Sequence, residues 1–250
     1  MRTVFFAFII FSIPWATHVL AQENEIELAE EVFWAELVHP QEKGEFQISL
    51  SPWISTSAQP NIGQSPFSLE YGISDAWQLE AEWSGPGYGN ESFESALEFG
   101  TKYSFLNLFD AGFHAAIGSE IAFTVSEEGF ETEPFVILAK DFPQLANLHL
   151  FSQAGLEFES SSEEEEELES PGWSLHIGAI LPVKQFYLSA EMGWMHEEGD
   201  MQMYITPGAV FEVIDDFQIG VGIPIGISDY ADTFRIATFF TYEFELFERD

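Results

Sequence analysis

Most of the sequence alternates apolar and polar residues, in segments that are about ten residues long. In residues 147–158, for example, Leu148 and Leu156 fall on one face of an extended chain, whereas His149 and Glu157 fall on the other. Such a segment predicts a strand with one apolar face and one polar face. A soluble β-sandwich has the same period, so the length and number of the segments and the aromatic residues at their ends must decide between the two.

The N-terminus has the features of an export signal. Met1-Arg2 gives a positive start, Val4 to Ile13 form an apolar core, and residues 17–21 form a cleavage site before Gln22. We therefore predict a signal peptide over residues 1–21. The alternative is a retained anchor helix, but Pro14 leaves an apolar run that is short for crossing a membrane.

The composition is strongly acidic and contains no cysteine. The formal net charge is −36, with 43 Asp and Glu residues against 7 Lys and Arg residues. This charge excludes nucleic acid as a partner, because phosphates would be repelled, and it favours divalent or organic cations. An equal alternative is that the bulk charge is an adaptation to high salt. The absence of cysteine excludes disulfides and thiolate metal sites.

Residues 22–43 have a different pattern of apolar and polar residues from the segments that follow them. Apolar residues are interleaved with Glu, and Pro40 ends the segment, which predicts an acidic periplasmic lead-in, either a short helix or a loose stretch. It could form a flexible tail or a plug in a barrel mouth. We favour the tail, because a single short segment rarely fills a barrel of the size expected here.

Twelve strand-like segments follow, and they define a single domain over residues 44–250. The segments are 44–54, 66–73, 75–84, 93–104, 110–125, 130–140, 147–158, 172–181, 185–196, 201–213, 216–226 and 232–247. Long polar loops alternate with tight turns between them. We predict an all-β fold, a single antiparallel transmembrane β-barrel in the bacterial outer membrane of a Gram-negative cell, with both termini in the periplasm. Trp and Tyr residues near the strand ends are expected to form two aromatic girdles.

The stretch from Leu69 to Glu80, with Glu42-Lys43-Gly44-Glu45 upstream, resembles a known family. In this sequence it reads Glu70-Tyr71-Gly72-Ile73-Ser74-Asp75 after the Lys-Gly-Glu lead. It is similar to the outer-membrane barrels labelled phenol-degradation-pathway (MetA-pathway-like) or transporter-like proteins. The resemblance implies one barrel and uptake of small solutes such as aromatic or hydrophobic compounds. The C-terminal residues Glu248-Arg249-Asp250 depart from the terminal aromatic residue that is common in such barrels.

With the apolar face outward, the opposite face lines the lumen and is acidic. The candidate residues that would set cation selectivity are Glu70, Glu80, Glu98, Glu120, Glu157, Glu191 and Glu243, with the bases Lys102 and Arg235. Carboxylates on a low-dielectric wall concentrate cations, which predicts a cation-biased pore. The alternative is a closed polar core in which these groups pair with one another. Glycines on the same face would leave space inside.

Other chemistry is less favoured. His114, His149 and His176 share the inward face but lack a metal-ligand spacing, so we predict no metal site and no cofactor. Ser152, Ser174 and Ser189 lie near His149 and His176 in strand order without a nucleophile motif, so we predict no catalytic residues and no enzyme. The acidic run over residues 160–170 is expected to be a solvated loop, with divalent-cation bridges to lipid sugars as the functional alternative.

The predicted function is therefore an outer-membrane channel or transporter for passive or solute-selective passage of small molecules. The competing hypotheses are a non-conducting structural or interaction barrel that acts through its acidic outer loops, and an outer-membrane lipid enzyme. The expected partners are membrane lipids and small solutes. The sequence leaves open the solute, the oligomeric state, and whether the lead-in closes the lumen.

Overall fold

The structure is a computed structural model, and it describes residue 29 and residues 31–55, 62–85, 87, 95–124, 129–161, 171–197, 199–231 and 233–245. The predicted signal peptide and the run of five glutamates from Glu163 lie outside the described residues.

The described residues form fifteen strands and one short 3-10 turn, Pro143–Leu145. The strands are β1 Glu45–Leu50, β2 Trp53–Ser55, β3 Ile62–Gln64, β4 Phe67–Ser74, β5 Trp77–Trp83, β6 Ala96–Leu108, β7 Phe113–Thr124, β8 Gly129–Phe142, β9 Leu148–Ser161, β10 Gly172–Val183, β11 Phe186–Glu197, β12 Asp200–Ile214, β13 Phe217–Gly222, β14 Ile225–Gly226 and β15 Arg235–Glu245.

Some of these strands are parts of one crossing, by which we mean one passage of the chain from one end of the barrel to the other. Three crossings are each divided into two strands near a proline. Pro52 separates β1 from β2, Pro66 separates β3 from β4, and Pro224 separates β13 from β14. Proline has no backbone N–H to donate, so a ladder is interrupted where it occurs. Counting each interrupted pair once gives twelve crossings. This confirms the predicted number.

The sheet closes on itself. Neighbours in sequence pair antiparallel all the way round, and β1 then pairs with β15, with Phe46 opposite Phe244 and Leu50 opposite Phe240. Closure leaves no unpaired edge, which is what a strand structure requires in hydrocarbon. The prediction of a single closed antiparallel barrel is confirmed.

The outer surface is apolar, as the alternation predicts. Its exposed side chains include Leu97, Phe99, Phe105, Ile117, Leu138, Leu156, Ile177 and Leu188. So many exposed large apolar side chains on a closed barrel are typical of contact with lipid. Among the described residues, no helix has both the length and the apolar character to cross a membrane.

Two strand boundaries differ from the prediction. The strand β6 continues to Leu108, and the turn lies at residues 109–112, where Phe109 and Asp110 adopt positive φ angles of 62° and 51°. The predicted loop over residues 55–65 contains β3, which extends the β4 crossing beyond Pro66. In both places the backbone pairing continues beyond the regular alternation of apolar and polar residues.

The lead-in lies inside the barrel. Val38 is fully buried, Leu37 is 6% exposed, and the described part of the segment contains no helix. The preference for a free periplasmic tail was therefore wrong for residues 31–42. The physical reason is that their backbone groups find polar partners on the barrel wall, which the sequence pattern does not reveal.

Aromatic rings fill much of the interior that the glycines leave. Phe135, Phe151 and Phe239 face inward, and each ring lies over the glycine directly opposite it on the neighbouring strand, as the pairs Gly118–Phe135, Gly178–Phe151 and Gly220–Phe239. The expectation that glycine leaves open space is therefore wrong at these positions, because the rings occupy that space.

Candidate solute site in the barrel lumen

The predicted lumen residues all lie on the inward-facing positions of their strands, but they do not form one site. Six of them line a common cavity: Glu70, Glu80, Glu120, Glu157, Lys102 and Arg235. Glu98 faces Glu82 across the β5–β6 ladder. Glu191 binds the lead-in, and Glu243 lies opposite Gln47 near the end of the barrel that carries the tight turns.

Glu191 holds the middle of the lead-in. The backbone N–H groups of Phe33 and Trp34 donate to its two carboxylate oxygens at 2.9 and 3.0 Å. Glu191 is only 2% exposed, so these bonds lie in a place with little water. The Trp34 indole also donates to Thr206 Oγ1 at 2.7 Å and stacks on Tyr204.

The next residues of the lead-in are held by the opposite wall. Lys102 donates to the carbonyl oxygen of Leu37 at 2.8 Å and forms an ion pair with Glu36 at 3.0 Å. Ser104 donates to the carbonyl oxygen of Val38 at 2.6 Å. Lys102, at 5% exposure, would be costly to bury without these partners. It therefore acts in this structure mainly as an anchor.

Two further bonds complete the attachment. The Glu36 N–H donates to Gln153 Oε1 at 2.6 Å, and the Gln41 N–H donates to Gln78 Oε1 at 3.0 Å. The lead-in thus has polar contacts with several strands around the barrel, and it crosses the lumen as an irregular chain whose backbone is satisfied by side chains of the wall.

Burial changes the protonation of the lead-in. Burial, together with the charges of Glu70 and Glu82, raises the pKa of Glu31 to about 8. Burial, together with the nearby His149 and His114, lowers the pKa of His39 to about 4. Burial alone would raise the pKa of Glu36, but Lys102 outweighs it and holds that pKa below its usual value. The docked lead-in therefore favours a protonated Glu31 and a neutral His39.

Histidines surround the lead-in near the turn end. His39 packs against His114 and His149, with ring centroids 5.1 and 5.8 Å away. Asp141 bonds His114 at 2.7 Å and His149 at 2.6 Å. His176 is not part of this cluster. In the described part of the chain, no group of three or more His, Asp or Glu side chains has an arrangement suited to a metal ion.

The serine–histidine hypothesis has no matching geometry among the described residues. Ser174 donates to Glu133 at 2.6 Å, and His149 is bonded to Asp141. Ser152 pairs with outward-facing Leu138 across the β8–β9 ladder, on the lipid side of the wall.

A cavity of about 630 Å³ lies above the lead-in, toward the end of the barrel with the long loops. Glu31 and residues 32–37 form its floor. Its acidic wall comes from β4 to β9, with Glu70, Glu80, Glu82, Glu120, Glu133 and Glu157. Glu80 and Glu120 lie on either side of Gly100, where an added Cβ would come within 3.3 and 3.4 Å of them. Such a cavity is of the size that holds small ligands.

The opposite wall is aromatic and carries Arg235. Its guanidinium lies 4.7 Å from the ring centre of Trp53, 5.1 Å from that of Tyr204 and 5.7 Å from that of Trp34. Trp173 also lines the cavity and stacks on His196. Trp34, Trp53 and Tyr204 therefore belong to the lumen, and the expectation that they form part of a membrane girdle was wrong. Trp77 and Trp83 are exposed on the outside.

Glu82 and Glu133 both line the cavity, although they were not among the candidate selectivity residues predicted from the sequence, and the aromatic wall was also missed. The alternation of inward and outward positions along each strand could have identified Trp53 and Tyr204 as lumen residues. Trp53 shares the inward face with Arg235, and Tyr204 shares it with Thr206. The general rule that Trp and Tyr mark the interface hid this signal.

Comparisons with known proteins agree on the fold. No protein-family model matches the sequence, and no curated protein matches it. Among solved structures, the chain is similar to "KdgM porin in complex with disordered oligogalacturonate", with TM-score 0.61, 10% identity, and coverage of 79% of this chain and 99% of that chain. It is also similar to a NanC porin structure, with TM-score 0.59, 9% identity, and coverage of 80% and 100%. The fold is thus the transmembrane barrel fold of these porins.

Proposed function

We propose that this protein is a bacterial outer-membrane channel for small solutes, with a lumen that favours cations. The observation that carries the proposal is the cavity of about 630 Å³ inside a closed porin-like barrel, with carboxylates from five strands, β4, β5, β7, β8 and β9, on one wall. A low-dielectric wall lined by carboxylates attracts cations and raises the barrier for anions. Glu98 and Glu120 lie on the acidic side of the lumen, and Glu157 lies at its loop end.

The orientation belongs to the same proposal. With both termini in the periplasm, the cavity would face the cell exterior and the lead-in would lie at its periplasmic floor. Solutes would then meet the carboxylates first and the lead-in second. The lead-in is the constriction that sets how much passes. The resemblance to phenol-degradation-pathway barrels extends the proposal to aromatic or hydrophobic solutes, which Trp53 and Trp173 on the cavity wall would suit.

The test is the reversal potential of the folded protein in a planar bilayer under a salt gradient. We expect cation-selective current that loses selectivity when Glu98, Glu120 and Glu157 are changed together to Gln. Asp215→Asn is the matched control, because Asp215 lies in an exposed turn outside the lumen. Unselective current in the unchanged protein, or selectivity that survives the triple change, would contradict the cation mechanism.

A non-conducting barrel is the second candidate, and the docked lead-in favours it. The segment is held by Glu191, Lys102 and Gln153, and Val38 is fully buried. A barrel that folds but stays silent, also after removal of residues 22–40, would establish this candidate over the channel.

A further inference from the structure

One side of the barrel carries a row of prolines in paired strand positions. Five neighbouring crossings form this side, namely β12, β13–β14, β15, β1–β2 and β3–β4, and we call them the proline wall. We call the line between two neighbouring crossings a seam. The four seams of the proline wall each contain one proline: Pro207, Pro224, Pro52 and Pro66. Proline is uncommon inside a sheet, because it cannot donate to the ladder.

Each proline removes one hydrogen bond from its seam. In an antiparallel ladder, two residues that face each other in a hydrogen-bonded pair exchange two bonds. One bond of each pair is present at 2.9 or 3.0 Å, from an N–H to the carbonyl oxygen of a proline: Ile223 to Pro207, Arg235 to Pro224, Thr238 to Pro52 and Ser51 to Pro66. The proline has no N–H with which to donate in return. Four consecutive seams are therefore each one ladder bond short.

The outer face of the proline wall is apolar on both sides of this row. Leu50 and Ile54 lie on either side of Pro52, and each is 41% exposed. Ile236, opposite Ile54 across the seam, is 39% exposed. Such a face lies against acyl chains, where no water replaces a backbone bond that is lost. A wall in this environment opens at the least cost where a ladder bond is already missing.

The cavity lies directly against the proline wall. Its lining includes residues from four of the five crossings: Ser51, Trp53, Pro66, Pro224 and Ala237. Thr238 also lines the cavity, although it alternates with the exposed residues Ile236 and Phe240 on the outward positions of β15. Its hydroxyl donates to the Pro52 carbonyl oxygen at 3.2 Å. The cavity therefore reaches the seam between β15 and the β1–β2 crossing.

The floor of the cavity is packed, in contrast to this wall. The lead-in forms the floor, and its Val38 joins Ile180 and Val210 in one apolar cluster. All three side chains are 0% exposed, and Ile180 and Val210 lie toward the turn ends of β10 and β12. An apolar solute in the cavity thus meets a close-packed floor below it and a seam with a missing bond beside it.

We propose that apolar aromatic solutes leave the cavity sideways into the membrane, through the seam between β15 and the β1–β2 crossing, whereas small cations use the axial route past the lead-in. Trp53, which follows Pro52 and points into the cavity, gives an aromatic solute an apolar surface beside this seam. The inference rests on the proposed function and gives its aromatic solutes a route.

The first test is thiol labelling in phospholipid vesicles with a maleimide fixed to the end of an acyl chain. The chain has no cysteine, so Ala237→Cys places a single thiol in the cavity at the proline wall. Met195→Cys places one in the same cavity on β11, outside the proline wall. Each rate is divided by the rate with a water-soluble maleimide. We expect the lipid-borne reagent to label Ala237→Cys and to leave Met195→Cys unlabelled.

Replacing a proline should close the seam. Pro52→Ala restores an N–H donor, and it should slow lipid-borne labelling of Ala237→Cys about two- to tenfold, the factor that one net backbone hydrogen bond contributes. Pro134→Ala is the matched control, because Pro134 lies in β8 outside the proline wall, and it should leave the rate unchanged. If Pro52→Ala does not fold, Pro66→Ala restores a donor at the next seam.

The second test follows a solute. Pyrene is added outside vesicles that have lipopolysaccharide in the outer leaflet, and energy transfer to a lipid-bound acceptor reports its arrival in the bilayer. The unchanged protein should speed arrival over protein-free vesicles. A disulfide from Ile54→Cys and Ile236→Cys, which pair across the seam, should abolish this gain, and reduction should restore it. A disulfide from Ile177→Cys and Met192→Cys, which pair between β10 and β11, is the control.

Three outcomes would overturn the proposal. They are equal lipid-borne labelling of the two cysteines, labelling that proline replacement does not slow, and pyrene arrival that the disulfide across the seam does not change. None of these measurements needs ionic current. A silent barrel whose seam opens to lipid therefore removes the cation channel and keeps the lateral route, whereas a cation-selective barrel without lipid-borne labelling removes the lateral route alone.

Discussion

At the scale of residues, glycine and aromatic side chains determine how the interior is filled. Gly178 lies directly opposite Phe151, and the Phe151 ring covers the glycine Cα where a side chain would stand. The same arrangement occurs at Gly118 with Phe135 and at Gly220 with Phe239. An inward ring can lie flat against the wall only where the opposite residue has no Cβ, so these pairs fix ring positions as well as backbone curvature.

This packing predicts a destabilising effect of Gly178→Ala. The new methyl would overlap the Phe151 ring, and we expect the free energy of unfolding to fall by about 1–3 kcal/mol, the usual cost of overpacking. Urea unfolding of the folded barrel in micelles measures it. Phe151→Leu in the same chain should restore part of the loss. Gly100→Ala is the control, because a new Cβ there would lie 3.3 Å from the Glu80 Cβ and 3.4 Å from the Glu120 Cγ, so these atoms would have to shift by only a few tenths of an ångström. Equal losses at both glycines would refute the explanation.

At the scale of elements, the lead-in depends on a small number of polar contacts. Glu191 accepts two backbone N–H groups, and its replacement by Ala would leave both without their partner. We expect Glu191→Ala to weaken docking of the lead-in by about 2 kcal/mol or more, since each buried N–H group that is left without a partner costs about 1–3 kcal/mol. The strands themselves should keep their pairing.

The absence of cysteine makes this measurable. A single cysteine at Ala35, which is 8% exposed, reports docking through its rate of reaction with a thiol reagent. The rate should rise in the Glu191→Ala background and stay unchanged in the Asp215→Asn background. An unchanged rate in Glu191→Ala would mean that Glu191 does not hold the lead-in.

The lead-in should also respond to pH. The pKa of Glu31 is about 8 when docked, above its value of 4.5 in water, so this group stabilises docking at low pH and the contribution is lost as the pH rises through 8. The pKa of His39 is about 4 when docked, below 6.5 in water, so its contribution is present above 6.5 and is lost as the pH falls through 4. Between 6.5 and 4.5 the two effects oppose each other.

We therefore expect alkaline pH to loosen the lead-in, as Glu31 becomes charged beside Glu70 and Glu82. The reactivity of a cysteine at Ala35, corrected with a small thiol of the same intrinsic pKa, should rise between about pH 6.5 and pH 8, where Glu31 titrates and His39 does not, and should level off above pH 8. In a Glu31→Gln background this rise should be reduced, because Gln stays neutral. The same rise in both backgrounds would assign the effect to other groups.

The strands could be predicted from the sequence, whereas the lead-in could not. Along β9, for example, His149, Gln153 and Glu157 alternate with apolar residues, and a period of two identifies both the strand and its inward face. The lead-in has no period, because its irregular backbone is held by single side chains. Its partners Gln153 and Glu191 lie 117 and 158 residues away in sequence, and no local pattern encodes such a contact.

At the scale of the whole molecule, closure follows from the number and alternation of strands, but the contents of the lumen do not. The alternation along β15 predicts that Arg235 points inward, but it does not predict that Trp34 lies beside it, because Trp34 belongs to the lead-in. The charge of −36 likewise leaves open how charges are distributed within the cavity. The structure places the acidic wall on β4 to β9 and the aromatic wall with Arg235 opposite.

Removal of the lead-in should separate the size of the passage from its selectivity. Deleting residues 22–40 removes the floor of the cavity, including the buried Leu37 and Val38, and leaves the carboxylates of the strands in place. Lys102 and Glu191 lose their partners on the lead-in, but they then face water, so the barrel should remain folded.

Single-channel conductance of this shortened protein in a planar bilayer should rise severalfold, because conductance follows the open cross-section. The reversal potential should still indicate cation selectivity. Glu191→Ala should give an intermediate conductance, with excursions between the two levels as the segment leaves and returns. If the deletion abolished cation selectivity instead, Glu31 and Glu36 of the lead-in would be the selective groups, and the wall carboxylates would serve mainly to hold the segment in place.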